Sequence, residues 1–542
     1  MVKASDYILD FFSNKGVEQV FCLTGGAAAH LIESTRKSRM KTLFNYTEQA
    51  CAMAADGYYR ISKKPAIVLV TNGPGSTNAL TGVVGAWQDG IPMIIISGQV
   101  PSSQTMGSEK RELRQLGVQE TDIIKMVQNC TKYAKQIADT KTLSCELEKA
   151  WKACITGRMG PVWLDVPIDI QASHVNNDIH AAISNAERPV IIAGHGIRLA
   201  NAEEQFIQFV NKLRFPVVCT WNATDLFAWS DPLYIGNPGL FGERAANIAV
   251  QEADLILVLG SRLSIPCIGY DNSKFATKAV RIMVDIDENE IFKKTMNVDC
   301  YYNGDIRDFM KLSFDTKDIS SWVKTLSELK ENLCVLKEPH TRVEGFVNSY
   351  DLIEELGKKL GPGDVIVTDM GTSFTCTMQA LRNTGSNRLF TSSGLCSMGF
   401  GLPGAIGAWT SDPSRRVVCI SGDGGFQMNI QELQTVVQNN IPLKMIVLNN
   451  GGYLAISLMQ DNIFKNRFGS DVSSPDFKKI ATAYGIPVVT NLNDLLCSTG
   501  PALYEVNMVR DQLLIPRVQS RRDEETGQII SGTLENMFPY KN

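Results

Sequence analysis

Arg416-Val417-Val418-Cys419-Ile420-Ser421-Gly422-Asp423-Gly424-Gly425-Phe426-Gln427-Met428-Asn429 is a strand-length apolar run that stops on a glycine-rich turn carrying one carboxylate. A helix-like stretch at 432–439 follows, and then Lys444-Met445-Ile446-Val447-Leu448 runs straight into Asn449-Asn450-Gly451-Gly452-Tyr453. Strand, helix and strand in this order predict a parallel βαβ unit, which brings both strand ends to one edge of a sheet. A carboxylate at one end and an amide oxygen at the next then converge on a hard cation. Mg²⁺ is commonly held by one or two side chains together with carbonyl, water and phosphate oxygens. Glycines at 422, 424 and 425 let backbone N–H groups approach diphosphate oxygens, and the helix that follows adds its dipole. Either turn alone reads as a chain reversal. The pair, separated by one helix and one strand, predicts a cation–diphosphate site.

Outward from this unit the same alternation of short apolar runs and helical periodicity fills the chain, the pattern of parallel α/β architecture. Strands are expected at 20–23, 66–71, 93–97 and 162–166 in the first third. The middle third restarts at Arg188-Pro189-Val190-Ile191-Ile192-Ala193-Gly194 and continues with 217–220, 255–260 and 281–286. The last third carries 365–369, 416–421, 444–448 and 502–506. A polar stretch at 171–187 and a charged, helix-rich linker from 317 to about 344 separate the blocks. The fold class is therefore α/β, with three doubly wound parallel-sheet domains at 1–172, 186–335 and 346–542. A chain of 542 residues with a 44% hydrophobic share is long enough for three cores.

Charge and composition exclude several classes. The 53 Lys and Arg against 57 Asp and Glu leave a net charge of −4, which speaks against a nucleic-acid partner and against a polybasic membrane anchor. No signal peptide and no apolar run of membrane-spanning length is seen, so the expected location is the cytoplasm. The 13 cysteines are scattered with no C-x-x-C, and the five histidines have no metal-ligand spacing; reduced thiols fit better than disulfides or zinc. Serine–histidine and zinc hydrolysis start from little, and no G-x-x-x-x-G-K-[ST] loop supports phosphoryl transfer.

The G-D-G…N-N arrangement resembles the thiamine-diphosphate motif of the 2-oxo-acid decarboxylase and carboligase superfamily, with acetohydroxyacid (acetolactate) synthase catalytic subunits as the nearest family. Other segments agree. Phe44-Asn45-Tyr46-Thr47-Glu48-Gln49-Ala50 resembles the segment with the activating glutamate, and Thr71-Asn72-Gly73-Pro74-Gly75-Ser76-Thr77-Asn78 resembles the glycine-rich loop. Gly394-Leu395-Cys396-Ser397-Met398-Gly399-Phe400-Gly401 resembles the stretch that bends the cofactor. The similarity runs from about residue 5 to 510.

The resemblance implies a pyrimidine-binding first domain, a central domain and a diphosphate- and Mg²⁺-binding last domain. It implies Glu48 at N1′ of the pyrimidine, Gln119 with Gly25 and Gly26 at the reacting centre, and Gly73 in the loop beside them. It further implies Cys396 backbone and the Met398 side chain against the rings, with Gly371, Thr372, Ser373, Gly424 and Gly425 on the diphosphate. Asp423, Asn450 and the Gly452 carbonyl would hold Mg²⁺. In the middle domain Ala193-Gly194-His195-Gly196, Arg262 and Asp285 resemble a flavin region; the implied FAD has no redox role, and ADP or no nucleotide is the alternative. The partners implied are pyruvate, an acceptor carbonyl and a second copy of the chain, in a homodimer or homotetramer with sites shared between subunits.

Several positions depart from the synthase pattern. Met459 stands where the family has a specificity tryptophan, Ile168 where it has a channel lysine, and Val118 where it has the phenylalanine before Gln119. The charged segment 102–115 is longer than the family's. The tail Ser520-Arg521-Arg522-Asp523-Glu524-Glu525…Met537-Phe538-Pro539-Tyr540 resembles thiamine enzymes of surface-polysaccharide pathways, which join a pyruvate-derived acetyl unit to a keto-sugar nucleotide. The implied reaction is decarboxylation of pyruvate and transfer of its two-carbon acyl-anion unit to an acceptor, a second 2-oxo acid or a keto-sugar nucleotide. The alternatives are a simple decarboxylase releasing an aldehyde and a non-catalytic nucleotide-binding protein.

Overall fold

A computed structural model describes residues 2–108, 113–140, 142–175, 179–522 and 529–540. The tail carboxylates Asp523, Glu524 and Glu525, residues 109–112 of the charged segment, and residues 176–178 of the first polar stretch lie outside the described residues.

Three parallel sheets organise the chain, each with central strands buried on both faces. The first has the order 41–44, 19–22, 67–70, 94–99, 162–167, 133–136. Ile67–Val70 and Ile94–Gln99 are buried at every position, as expected of a sheet covered by helices on both sides. The second has the order 234–236, 217–219, 189–193, 255–259, 280–285, 300–303, and the third 388–390, 365–368, 417–422, 444–449, 502–507. All pairings within the three sheets are parallel. The α/β fold class with three parallel-sheet domains follows directly.

By compactness the chain falls into two units, Met1–Asp178 with the first sheet and Ile179–Asn542 with the other two. In the second unit the two sheets are joined by buried polar contacts. The Asp225 carboxylate accepts from Arg198 at 2.8 Å, and from Arg388 and the Leu389 N–H at 2.7 Å each. Arg244 pairs with Glu338 at 2.7 Å and also donates to the carbonyls of Met537 and Pro539, so the tail at 529–540 is fastened to the helix Arg244–Glu252. No helix among the described residues is long and apolar enough to cross a membrane.

Candidate functional site

In the first unit four elements deliver their ends to one place. Thr47 caps the helix Glu48–Ser62, its side chain accepting the Ala50 N–H at 3.2 Å, so that Glu48 is the first helical residue. The Glu48 side chain is buried, and the one donor reaching its carboxylate among the described residues is Asn78 Nδ2, at 3.2 Å from Oε2. Gly75, in the first turn of the helix Pro74–Asp89, has room for no more than a hydrogen: a Cβ there would lie 3.3 Å from Glu48 Oε1 and 2.7 Å from the Thr71 side chain. A Cβ on Gly25 would lie 2.3 Å from the same threonine. Gly26 opens a short turn at 26–28 and faces open space.

Gln119 joins this group by an unusual backbone. It adopts φ 58°, the left-handed region that a residue with a Cβ seldom occupies. Gly73, at φ 56°, meets it: a Cβ there would be 2.3 Å from the Gln119 carbonyl oxygen. Asn72 Nδ2 donates to the Val118 carbonyl at 3.1 Å. Glu48, Gly25, Gly73 and Gln119 are thus brought together, and the Gln119 side chain stays exposed.

In the second unit the register Gly422↔Leu448 places Asp423 and Asn450 at the carboxyl ends of adjacent strands. The Asp423 carboxylate is buried and takes the N–H groups of Gly424 at 3.0 Å and of Gly451 and Gly452 at 3.1 Å, with the Ser474 hydroxyl at 2.8 Å. Burial pushes its pKa up, while these donors oppose the shift. The Oδ1 atom of Asn450 is buried and has no hydrogen-bond partner among the described residues. An orphaned amide oxygen costs free energy unless something outside the chain meets it. With an adjacent carboxylate and oxygen-only donors, the residues fit a hard divalent cation. The Gly452 carbonyl accepts from Leu454 N–H at 3.1 Å, which leaves one lone pair. No cluster of three His, Cys, Asp or Glu exists among the described residues, so a cation site here would add amide and carbonyl oxygens to the one Asp423 carboxylate.

The anion side of this site is a helix start. Gly371 at φ 79° caps Thr372–Ala380 without a side-chain cap, leaving first-turn N–H groups for a ligand. All nine residues of that helix are buried. Gly424 packs on the Tyr453 ring, where a Cβ would be 2.4 Å away, and the Met398 methyl lies 3.3 Å from the same point. Met398 is thus beside the cation loop, and Cys396, at φ 60°, precedes it in an exposed turn.

The central sheet has its own cleft. A cavity of about 710 Å³ lies at the carboxyl ends of its strands, lined among others by His195, Asn222, Arg262, Asp285 and Arg307. Gly194 and Gly196 press against Gly260, where Cβ atoms would fall 2.2 and 2.7 Å from its carbonyl oxygen. Burial raises the Asp285 pKa, and its carboxylate accepts the Asp287 N–H at 2.9 Å. Asn222 donates to the Thr391 carbonyl and the Ser393 hydroxyl at 3.0 Å each, so the cavity wall continues into the segment leading to Cys396 and Met398.

Two residues of this site escape a reading by motif. Asp369, fully buried, accepts N–H groups of Met370 at 2.7 Å, Gly399 at 3.0 Å and Gly401 at 2.9 Å. It holds the Met398 segment against Gly425, where a Cβ would be 2.5 Å from Oδ1. Its signal was a carboxylate at the end of an apolar strand. Ser474 reaches Asp423 from a loop without regular structure, and no local pattern marks it.

The comparisons agree with this geometry. Family models described as Thiamine pyrophosphate enzyme match in three parts: the N-terminal TPP binding domain over 2–126, the central domain over 177–312 and the C-terminal TPP binding domain over 369–506. The chain is 30% identical over 538 residues to the acetolactate synthase isozyme 2 large subunit of Escherichia coli (strain K12), covering 94% of this chain and 96% of that one. It is 31% identical over 521 residues to a probable acetolactate synthase large subunit of Methanococcus aeolicus, covering 87% and 84%. With the acetolactate synthase large subunit of Lactococcus lactis subsp. lactis (strain IL1403) the identity is 30% over 552 residues, covering 95% and 94%. The chain belongs to the thiamine pyrophosphate enzyme family. Within it, the chain is a thiamine-diphosphate-dependent enzyme of the acetolactate synthase type.

Proposed function

We propose that the protein is a carboligase that decarboxylates pyruvate and transfers the two-carbon acyl-anion unit to an acceptor carbonyl, with Mg²⁺ as its metal. The observation that carries the reading is the buried, unpartnered Oδ1 of Asn450 beside the Asp423 carboxylate. Thiamine diphosphate, when bound, supplies the nucleophilic carbon and the electron sink that this chemistry needs. Asp423, Asn450 and the Gly452 carbonyl hold the metal, and the N–H groups at 371–373 and 424–425 bind the diphosphate. Met398 and the Cys396 backbone orient the rings. Glu48, buried with Oε1 left without a donor, holds the proton at N1′ of the pyrimidine. Gly25, Gly26 and Gly73 leave room for the substrate, and Gln119 donates to its oxygens.

The shared sites imply that Glu48 of one copy serves the metal loop of another, in a homodimer or homotetramer. The exposed apolar side chains Phe44, Tyr46 and Met53 flanking Glu48 support such an interface. The central cavity, with Arg262 for a diphosphate and Asp285 for a ribose or ribityl hydroxyl, suits FAD bound without redox turnover. The domain boundaries 1–172, 186–335 and 346–542 and a cytoplasmic location belong to the same reading. The acceptor is a second 2-oxo acid or a keto-sugar nucleotide, and Met459 in place of tryptophan widens the pocket for the larger one.

The test is incubation of the full chain with pyruvate, thiamine diphosphate and Mg²⁺, with and without keto-sugar nucleotides, read by product mass. Acetolactate or a branched sugar product is expected; acetaldehyde alone would overturn the carboligase reading. Glu48→Gln is expected to lower kcat by about 10²-fold or more with unchanged folding.

A further inference from the structure

The strand Val162–Pro167 carries a fully buried carboxylate, Asp165, that the proposed chemistry does not touch. Its surroundings are all donors. Ser97 Oγ–H donates to Oδ1 at 2.6 Å, and Gln99 Nε2 and Gln136 Nε2 donate to Oδ2 at 3.1 and 2.9 Å. Trp163 Nε1–H donates to Ser97 Oγ at 2.8 Å and so orients that hydroxyl toward the carboxylate. No cation pairs with Asp165 among the described residues. An anion held by neutral donors, without a counterion, is costly to bury and calls for a role.

One donor leads onward. Gln99 is locked at its oxygen by the Val100 N–H at 3.0 Å, and its Nε2 also donates to the Thr121 carbonyl at 3.2 Å. Thr121 closes the loop that holds Gln119 in its left-handed conformation. The far side of that loop is fixed by Glu120, whose carboxylate accepts the N–H groups of Leu116 at 2.9 Å, Gly117 at 3.0 Å and Met106. The Asn72 bond to Val118 is the third tether. We propose that ionised Asp165 is a positioning residue: through Gln99 it sets the place of the 116–121 loop and thereby of Gln119. This rests on the proposed role of Gln119 at the reacting centre.

Protonation undoes the arrangement, because a carboxylic acid brings its own O–H into a ring of donors. Burial raises the Asp165 pKa to about 6, the three hydrogen bonds oppose the shift, and Asp122 adds repulsion. The other charged groups of the elements packed there are Lys125, which pairs with Asp122 at 2.9 Å, Lys135 of the strand Tyr133–Gln136, Glu146, Glu148, Lys149 and Lys152 of the helix Leu143–Ile155, and Asp169 of the helix Ile168–Ala172. Since the folded pKa lies above the unfolded one, the carboxylate's burial favours folding most at low pH and disfavours it as pH rises through about 6. Loop order runs the opposite way, gained as pH rises through the same value.

The test compares wild type with Asp165→Asn and with Gln99→Met, which removes the Gln99 amide that joins Asp165 to the Thr121 carbonyl, together with its bond from the Val100 N–H. Both are full chains with thiamine diphosphate and Mg²⁺. Amides 116–122 are expected to exchange with solvent at least about tenfold faster in both variants, with the amides of the Glu48 helix unchanged. In wild type the same loop should loosen below pH 6, and kcat/KM for pyruvate should fall there. Asp165→Asn should lack that acid limb and show a kcat/KM lowered by about tenfold or more at pH 7.5. Wild-type loop exchange in both variants, or an unchanged acid limb in Asp165→Asn, would overturn the inference. A wild type that consumes no pyruvate would instead refute the proposed reaction, while the exchange measurement still decides the positioning role.

Discussion

Two adjacent asparagines end the strand Lys444–Asn449, and their side chains have different tasks. Asn449 is committed to the protein: its Nδ2 donates to Glu505 at 2.7 Å and its Oδ1 accepts the Gly451 N–H at 3.1 Å. Asn450 keeps a buried oxygen with no partner among the described residues. The resemblance names Asn450 alone for the metal, and the residue that occupies Asn449 instead, Glu505, lies in a neighbouring strand that the motif does not include. Asn450→Ala is therefore expected to raise the Mg²⁺ concentration for half-maximal activity by at least about tenfold. Its folding in the absence of metal should be unharmed or slightly improved, since an orphaned polar atom is removed. Mg²⁺ titration of activity and metal-free melting check the two halves separately.

At the scale of elements, what the apolar pattern revealed has a simple boundary. The strands it identified include every interior strand of the three sheets, most of them buried on both faces and rich in Val, Ile and Leu. The strands it left out, 41–44, 133–136, 234–236, 300–303 and 388–390, are all sheet edges. These strands are three or four residues long, and some are only partly covered, as in Lys41–Phe44 with three exposed residues, so none carries an apolar run of strand length. The site followed the same logic. Motif residues at interior strand ends were legible, whereas Asp369, Ser474 and Asp165 act through partners remote in the chain. The turn at 423–425 shows how tightly those partners fit. Gly425→Ala would drive a methyl to 2.5 Å from Asp369 Oδ1, and that carboxylate is already clamped by Gly399 and Gly401. A loss of about 1–3 kcal/mol in stability and a several-fold weaker thiamine diphosphate affinity are expected, measured by denaturation and calorimetry.

At the scale of the molecule, the unit Ile179–Asn542 depends on buried charge at its seams. Arg244 and Glu338 form a bidentate pair with almost no solvent contact, and the same guanidinium holds two tail carbonyls. Removing one partner of such a pair leaves the other charged and unpaired. Arg244→Met should cost about 3–5 kcal/mol, seen as an earlier denaturant midpoint, and should expose the 529–540 segment to limited proteolysis. An earlier midpoint with the tail still resistant to cleavage would mean that the tail rests on Asn247, which donates to the Leu534 carbonyl at 2.9 Å, independently of the ion pair.

The helix Thr372–Ala380 has no wet side. A helix that rests on a surface tolerates polar replacements at every third or fourth residue, leaving a stripe of forgiving positions. Here a saturation screen would meet nine consecutive intolerant sites, four of them threonine or serine in Thr372, Ser373, Thr375 and Thr377. Such an unbroken block of intolerant positions would look like a conserved loop or a buried strand. It is instead a rod sunk whole into the protein.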